Sequence, residues 1–173
     1  GLRFGGLTRA DLNELEQVNI TEALTWALRR PRLKTELLTV DGLLRLHQRM
    51  FGDVWDWAGS FRTTEKNIGV APCEIGSELQ KACDDASFWL DEGNWEVREM
   101  AARFHHRLVK VHVFPNGNGR HARVTADLLV HHRRAAALSW PASRDAYIAS
   151  LRAADGRAFG PMVGLLTGVP SSA

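Results

Sequence analysis

The chain has only two cysteines among its 173 residues, Cys73 and Cys83, and they do not form a C-x-x-C motif. A disulfide framework is therefore not expected, and a reducing cytoplasmic compartment is the better prediction. No apolar run approaches the roughly 18 residues that a membrane-spanning helix needs. The N-terminus also lacks the hydrophobic segment of a signal peptide. We expect no membrane partner.

An excess of one charge is also missing, because 22 lysines and arginines face 20 acidic residues, for a net charge of +2. Most of the positively charged residues are arginines, a composition that by itself would suggest a nucleic-acid-binding protein. The nearly equal number of acidic residues argues against a basic binding domain, so nucleic acid is not an expected partner. The 45% hydrophobic and 24% charged fractions are those of a folded domain, and the length fits one domain.

The pattern that dominates the chain is helical. Apolar residues recur at helical spacing in several segments, and Thr8 and Ser143 stand where helix N-caps are expected. The predicted helices cover residues 8–28, 40–51, 74–90, 97–111, about 120–136, 143–151 and 159–166. Residues 59–72 differ, because β-branched and aromatic residues flank a polar tip, and they predict a β-hairpin.

The loop between the two strongest predicted helices carries the candidate chemistry. Gly117 and Gly119 allow its backbone N–H groups to turn inward at the start of a helix, where anions bind well. Arg120 and Arg123 are three residues apart and project from the first turn, which suits a polyphosphate. His112, just before the loop, is placed to act as a general base.

Residues 112–123, HVFPNGNGRHAR, resemble the signature of the Fic (Fic/Doc) family, H-x-F-x-[DEN]-G-N-G-R-x-x-R, at every defining position. The resemblance extends to WAG at 57–59 and AARFHH at 101–106, and it is greatest to a bacterial subgroup called mobile mystery protein B. It implies an all-α, Fic-type helical bundle with a small β-hairpin flap beside the active-site loop. The single domain would have an N-terminal helical extension at 1–40 and a core at 41–168.

The resemblance also implies a protein adenylyltransferase that moves AMP from ATP to a Ser, Thr or Tyr hydroxyl of a target protein, including the chain itself. His112 would take the hydroxyl proton, Phe114 would anchor the loop, and Asn116 would be a neutral ligand of Mg²⁺. The anion hole and phosphate contacts would come from the remaining motif residues, Gly117, Asn118, Gly119, Arg120 and Arg123.

Target docking and inhibition are further expectations from the resemblance. The hairpin would pair its edge with the target through Thr63, Thr64, Glu65, Lys66, Asn67, Ile68, Gly69 and Val70. Many family members carry an inhibitory glutamate that pairs with the second motif arginine, and Glu16 is the candidate here, although Leu12 and Gln17 depart from the pattern. A separate antitoxin-like protein could supply that glutamate instead, as in toxin–antitoxin pairs.

Two alternatives stay open. Doc-type relatives transfer phosphate and lack the second glycine and the intact arginine pair, whereas Gly119, Arg120 and Arg123 are all present here. Transfer of another nucleotide, such as UMP or GMP, stays open with it, because no base-reading residue stands out. The second alternative is a non-catalytic regulatory or nucleic-acid-binding module, whose binding would weaken steeply with salt and survive loss of His112.

Overall fold

Helices account for nearly all of the regular structure. The computed structural model describes residues 2–3, 6, 8–93 and 95–168, and in these ranges a single isolated bridge, Leu2 to Trp55, is the only strand-like pairing. None of the helices in the same ranges is long and apolar enough to cross a membrane. The helices are α1 (Arg9–Leu28), α2 (Leu33–Glu36), α3 (Val40–Phe51), α4 (Ile75–Asp91), α5 (Val97–Val111), α6 (Asn118–His132), α7 (Arg144–Asp155) and α8 (Gly160–Thr167), with a 3₁₀ turn at Pro72–Glu74.

Side-chain caps explain why several helices begin where the sequence predicts. At α1, Thr8 Oγ1 accepts a hydrogen bond from the N–H of Asp11 at 3.3 Å, and the Asp11 carboxylate accepts from the N–H of Thr8 at 2.8 Å. This reciprocal pair is a capping box. Ser143 caps α7 with a single hydrogen bond, which its side chain accepts from the N–H of Ala146 at 3.3 Å.

All the predicted helices are present, but the ends of α6 and α7 differ from the prediction. Helix α7 continues to Asp155 rather than ending at Leu151. The sixth helix begins at Asn118 rather than near Arg120, and it ends at His132 rather than near Ala136. The short helix α2 was not predicted, since four residues show no periodicity. The earlier start of α6 has a functional consequence, because it places the whole Gly-Asn-Gly segment at the helix N-terminus.

Helix α5 lies in the centre of the molecule, packed along α4 and α6, while α1 packs on α3. The alanines Ala101 and Ala102 on α5 and Ala122 and Ala126 on α6 are all buried. Small side chains on both helices allow a close approach of the two backbones. The α5–α6 junction, which contains the motif, therefore rests on the best-packed part of the fold.

The predicted β-hairpin is wrong. Residues 59–71 contain no strand, and the structure describes all of them. The reason is the side chain of Arg62, whose guanidinium donates to the carbonyl oxygens of Thr64, at 3.0 Å, and of Val70. One side chain thus joins the two arms of the segment where a hairpin would use a backbone ladder. The segment 59–71, called the flap loop below, is an irregular loop.

Candidate active site

Two left-handed residues define the loop between α5 and α6. His112 ends α5 with φ of 55° and ψ of 60°, and Gly117 precedes α6 with φ of 80°. Glycine accommodates this conformation, whereas a histidine in it is uncommon. A Cβ at position 117 would also lie 2.7 Å from Cε2 of Phe51. The sequence-predicted need for glycine at 117 therefore has a steric cause within the protein itself.

Asn118 closes the loop. Its Oδ1 accepts a hydrogen bond from the N–H of Phe114 at 2.8 Å, and its Nδ2 donates to the carbonyl of Phe114 at 2.8 Å. Both partners are buried, so each hydrogen bond satisfies a group that water does not reach. The asparagine side chain therefore fixes the shape of the loop rather than facing a ligand directly.

Phe114 lies beneath the loop and does not line the cavity. Its ring stacks on the imidazole of His47 at a centroid distance of 3.6 Å and meets the edge of His121 at 5.1 Å. His47 Nδ1 accepts from the N–H of Gly59 at 3.0 Å, so its proton sits on Nε2, which donates to the carbonyl of Asn116 at 3.1 Å. Burial, with the charges of His121 and Arg120, lowers the pKa of His47 to about 2. A neutral His47 thus ties the flap loop to the motif loop.

A cavity of about 510 Å³ opens above this loop and collects the predicted chemistry. The first helical hydrogen bond of α6 runs from His121 N–H to Gly117 O at 2.9 Å, so the N–H groups of residues 118–120 precede the bonded helix. A Cβ at Gly119 would meet no protein atom within 4 Å. The cavity is lined by His112, Pro115, Asn116, Gly117, Asn118, Gly119, Arg120, Arg123 and Arg144. Free amides, an open backbone and several arginines are the features of an anion site.

The two motif arginines line this cavity but have different neighbours. The guanidinium of Arg120 packs over the ring of Phe51 at 4.8 Å and pairs with Glu16. The guanidinium of Arg123 lies over Tyr147 at 4.6 Å and over Trp140 at 5.8 Å. Arg123 is thus held by aromatic faces. In the described residues it forms no ion pair, which leaves its charge available for an anion.

His112 is half-buried at one end of the cavity. Its carbonyl accepts a hydrogen bond from Nε of Arg62 at 2.7 Å, which leaves the imidazole as the part that faces the cavity. Burial is the main cause that lowers the pKa of His112 below 6.5, and the charges of Arg62 and Lys66 lower it further. The imidazole is therefore neutral near pH 7, as a proton acceptor must be.

Glu16 reaches the site from α1 and is 4% exposed. One carboxylate oxygen pairs with Arg120, and the other accepts a hydrogen bond from Nε1 of Trp55 at 2.6 Å. The expectation from the family resemblance was a pair with the second arginine, Arg123. The structure instead joins Glu16 to the first arginine, because Arg123 is turned toward the aromatic side chains of the opposite wall.

Gly69 of the flap loop lies directly against the side chain of His112. A Cβ at Gly69, whose φ is 93°, would lie 2.6 Å from Cβ of His112. The stems of the flap loop are fixed by two backbone bonds, Arg62 N–H to Val113 O at 2.9 Å and Val70 N–H to Val111 O at 3.4 Å. Between these stems, residues 63–69 are exposed. The predicted docking residues are therefore divided, with Gly69 beside His112 and residues 63–68 pointing into solvent-accessible space.

Four residues of this arrangement were missed from the sequence. His47 lies on the apolar face of α3, where the sequence pattern predicts only a buried core residue. For Trp55 the pattern likewise predicts only a packing role. Arg62 lies in the segment predicted as a hairpin, and no role of its own was predicted for it, although it is 2% exposed. Arg144 lies on a different helix from the motif, and no local signal connects it to the cavity. Arg144 reaches the cavity only because α7, which follows Ser143, packs beside the motif in the folded chain.

Asn116 is the only predicted metal ligand. Its Oδ1 accepts a hydrogen bond from the N–H of Gly117 at 2.8 Å, and the residue is exposed at the cavity. The described residues contain no cluster of three or more His, Cys, Asp or Glu side chains that could hold a metal ion alone. Asn116 would therefore offer Mg²⁺ one neutral oxygen, and phosphate oxygens and water would have to supply the other ligands.

The sequence is similar to a known protein family and to curated proteins. Residues 37–130 match the sequence profile described as Fic/DOC family. A curated protein of Nematostella vectensis, "Protein adenylyltransferase Fic", is 28% identical over 123 residues, which are 69% of this chain and 29% of that protein. The chain therefore spans less than a third of that relative's length.

Solved structures agree on the fold. "Fic-1 (aa134 - 508) from C. elegans" superposes with a TM-score of 0.69 and 28% identity, over 94% of this chain and 49% of that one. The BepC protein of Bartonella tribocorum, solved with bound AMPPNP, superposes with a TM-score of 0.75 at 17% identity, over 99% and 93% of the two chains. The predicted all-helical Fic fold is thus confirmed.

Proposed function

Because the chain belongs to the Fic/DOC family, we propose that it is a protein adenylyltransferase that transfers AMP from ATP to a Ser, Thr or Tyr hydroxyl of a target protein, including the chain itself. The observation that carries the proposal is the cavity, in which His112, the free N–H groups of α6, Arg120 and Arg123 face one another. A neutral base next to an anion site is what this reaction requires.

The residues divide the chemistry among them. The target hydroxyl oxygen forms a bond to the α-phosphorus of ATP, its proton moves to the imidazole of His112, and the bond from the α-phosphorus to the bridging oxygen breaks. Pyrophosphate leaves with that electron pair. The N–H groups of Gly119 and Arg120, together with the two motif arginines, would stabilise the negative charge on the phosphate oxygens. Each such donor is typically worth about 10²–10³ in rate.

Mg²⁺ is part of the proposal through Asn116. The ion would be held by Asn116 Oδ1 and by the phosphate oxygens of the nucleotide, and when bound it neutralises charge on the phosphates. A neutral amide attracts the ion less than the carboxylate that many family members carry at this position. The chain's own contribution is to orient that amide, which the bond from Gly117 N–H does in the structure.

A labelling experiment tests the reaction. The purified chain is incubated with Mg²⁺ and with ATP carrying radiolabel either at the α- or at the γ-phosphate, and label on protein is measured after electrophoresis. Because Gly119, Arg120 and Arg123 are all present, we expect label from the α-phosphate only. Label that arrives only from the γ-phosphate would show phosphate transfer of the Doc type, and would end the adenylyltransferase proposal.

The flap loop is proposed as the docking edge for the target. Within the described chain, residues 63–69 form no backbone–backbone hydrogen bond, so their N–H and C=O groups, apart from the Thr64 carbonyl that accepts from Arg62, are open to an added extended segment. The stems at Arg62 and Val70 hold this open edge next to His112. A target segment paired there would bring its hydroxyl side chain toward the imidazole. Strand addition does not require a preformed hairpin, only an ordered edge.

Inhibition by Glu16 is proposed from its two contacts. The pair with Arg120 uses the guanidinium that would otherwise meet phosphate, and the carboxylate adds negative charge beside the anion site. The indole N–H of Trp55 holds the carboxylate in place. The N-terminal extension at 1–40 is on this proposal the regulatory part, and 41–168 the catalytic core. An antitoxin-like protein is a further proposed partner, one that would act on the same arginines.

Replacing Glu16 with glycine is expected to raise self-modification with ATP. Release of Arg120 from its carboxylate partner restores a phosphate ligand, and coupling between two sites typically changes ligand affinity by about 5- to 150-fold. The measurement is the initial rate of label incorporation from α-labelled ATP. Glu14→Gly is the matched control, because Glu14 is exposed on the same helix and the cost of glycine in a helix is similar.

Two outcomes decide the role of Glu16. A rate that stays at the unsubstituted level in Glu16→Gly contradicts inhibition by this residue. Trp55→Phe provides an independent check, because it removes only the N–H that holds the carboxylate while keeping an aromatic ring stacked near Trp57, whose centroid lies 5.1 Å away. We expect its rate to fall between those of the unsubstituted chain and Glu16→Gly.

The subgroup within the family and the cellular location are also proposals. Membership of the bacterial subgroup called mobile mystery protein B is proposed on the residues that carry the resemblance. A cytoplasmic location is proposed together with it. The two cysteines are free thiols, Cys73 exposed and Cys83 buried, which is in keeping with a reducing compartment.

A further inference from the structure

A third arginine lines the cavity although it lies outside the motif. Arg144 is the first residue of α7, and it shares the cavity with His112, the Gly117–Gly119 backbone, Arg120 and Arg123. It is exposed, and in the described part of the chain its side chain forms no hydrogen bond or ion pair. An unpaired guanidinium in a cavity of anion-binding groups has no evident role in stabilising the fold.

Tertiary packing determines where Arg144 enters the cavity. Tyr147, one helical turn later on α7, is buried, and its hydroxyl lies 2.9 Å from Nε2 of His105 on α5. The guanidinium of Arg123 rests 4.6 Å above the ring of the same tyrosine. Since residues three apart on a helix share a face, Arg144 and Arg123 lie at the same end of the cavity.

The two motif arginines have neighbours that Arg144 lacks. Arg120 is compensated by Glu16, and Arg123 is held against Tyr147 and Trp140. Arg144 has no such compensation. Arg123 contacts Tyr147, and Arg144 lies one helical turn before Tyr147, so both arginines lie on the α7 side of the cavity that His112 and the helix N–H groups also line. A nucleotide whose α-phosphate lies beside His112 would place its terminal phosphate toward these two arginines.

We propose that Arg144 is a third phosphate-binding arginine, which contacts the terminal phosphate of ATP and holds pyrophosphate as it leaves. The inference rests on the proposed function and adds a ligand that the motif does not contain. When the bond between the α-phosphorus and the bridging oxygen breaks, the electron pair goes to pyrophosphate while the hydroxyl proton goes to His112. A guanidinium can accept that growing charge through two parallel N–H···O bonds.

Calorimetric titration tests the assignment. Arg144→Gln is titrated with ATP, ADP and AMP in the presence of Mg²⁺, beside the unsubstituted chain. We expect the Kd for ATP to rise about tenfold or more, as for loss of a charged hydrogen bond, and the Kd for AMP to stay unchanged. Arg9→Gln is the matched control, because Arg9 is likewise the exposed first residue of a capped helix and lies outside the cavity lining.

The outcomes separate this inference from the proposed function. An unchanged Kd for ATP in Arg144→Gln overturns the role of Arg144, and so does an equal loss for ATP and AMP, since that would place the residue at the nucleoside. The role of Arg144 is supported if the unsubstituted chain binds ATP and Arg144→Gln raises the Kd for ATP while leaving the Kd for AMP unchanged. If the unsubstituted chain and Glu16→Gly both fail to bind any of the three nucleotides, the proposed function fails and this inference fails with it.

Discussion

Replacing His112 with alanine is expected to lower the rate of AMP transfer by about 10²–10⁴-fold, the usual contribution of a general base. ATP binding should be retained, because the phosphate contacts come from the helix N–H groups and the arginines rather than from the imidazole. The measurement combines label incorporation from α-labelled ATP with a calorimetric Kd. Equal losses in rate and in ATP affinity would contradict the role of a base, since they would indicate a collapsed loop.

Two further variants separate the imidazole from the backbone. His112 has φ of 55°, and asparagine tolerates this left-handed conformation better than alanine does. His112→Asn should therefore lose as much rate as His112→Ala while keeping the loop geometry. His131→Ala is the control for loss of a histidine, because His131 is exposed at the far end of α6. Its rate should equal that of the unsubstituted chain.

The pH dependence follows from the lowered pKa of His112. Neutral imidazole is the reactive form, so the rate should be flat around pH 7 and fall only as pH drops below 6.5, the ordinary value. Protonation at lower pH removes the acceptor for the hydroxyl proton. The pH–rate profile of self-modification measures this directly. An acid limb centred above pH 6.5 would contradict the lowered pKa.

Replacing Arg62 with leucine is expected to cost about 3 kcal/mol or more of unfolding free energy, because each carbonyl that loses its buried partner typically costs about 1–3 kcal/mol. Arg62 is 2% exposed and donates to the carbonyls of His112, Thr64 and Val70. A leucine fills part of the volume but donates nothing. Chemical denaturation, followed by circular dichroism, measures the difference.

Controls for Arg62 are available in the chain. Arg45→Leu removes an exposed arginine whose partner, Glu36, is 3.5 Å away, and such a surface pair contributes only about 0–1 kcal/mol. Arg62→Lys should recover little, because a single ammonium cannot reach three carbonyls as a planar guanidinium does. A destabilisation by Arg62→Leu no larger than that of Arg45→Leu would contradict the assigned role.

A second readout distinguishes Arg62 from a purely structural residue. Its charge lowers the pKa of His112, so Arg62→Leu should raise that pKa and move the acid limb of the pH–rate profile to higher pH. The transfer rate itself should also fall, because the flap loop loses the bonds that hold it beside His112. A stability loss alone would leave the position of the acid limb unchanged.

Short-range features explain what could be predicted from the sequence. The boundaries of α3 and α5 follow from the spacing of apolar residues, and the start of α1 follows from a capping box spanning Thr8 to Asp11. The motif at residues 112–123 is also a local feature, since the loop and the first turn of α6 are contiguous. Its glycine at 117 and its asparagine at 118 are required by contacts within or directly beneath that loop.

The errors arose where a residue's partner lies far away along the chain. Residues 59–72 have the composition of a hairpin, but the buried guanidinium of Arg62 links their arms and fixes them to the motif. Glu16 was expected to pair with the second motif arginine, but the orientation of two arginines on α6 determines that its partner is Arg120. Neither geometry has a signal within a window of neighbouring residues.

The sequence by itself therefore determined a helical fold with few cysteines, no long apolar run and no excess of one charge, and one loop with the chemistry of a phosphate site. Only the tertiary structure decided what surrounds that loop. Arg144 on α7 and Glu16 on α1 reach the cavity because both helices pack around the α5–α6 pair. The physical reason is that caps and periodicity act over a few residues, whereas burial and charge pairing depend on which distant segments meet.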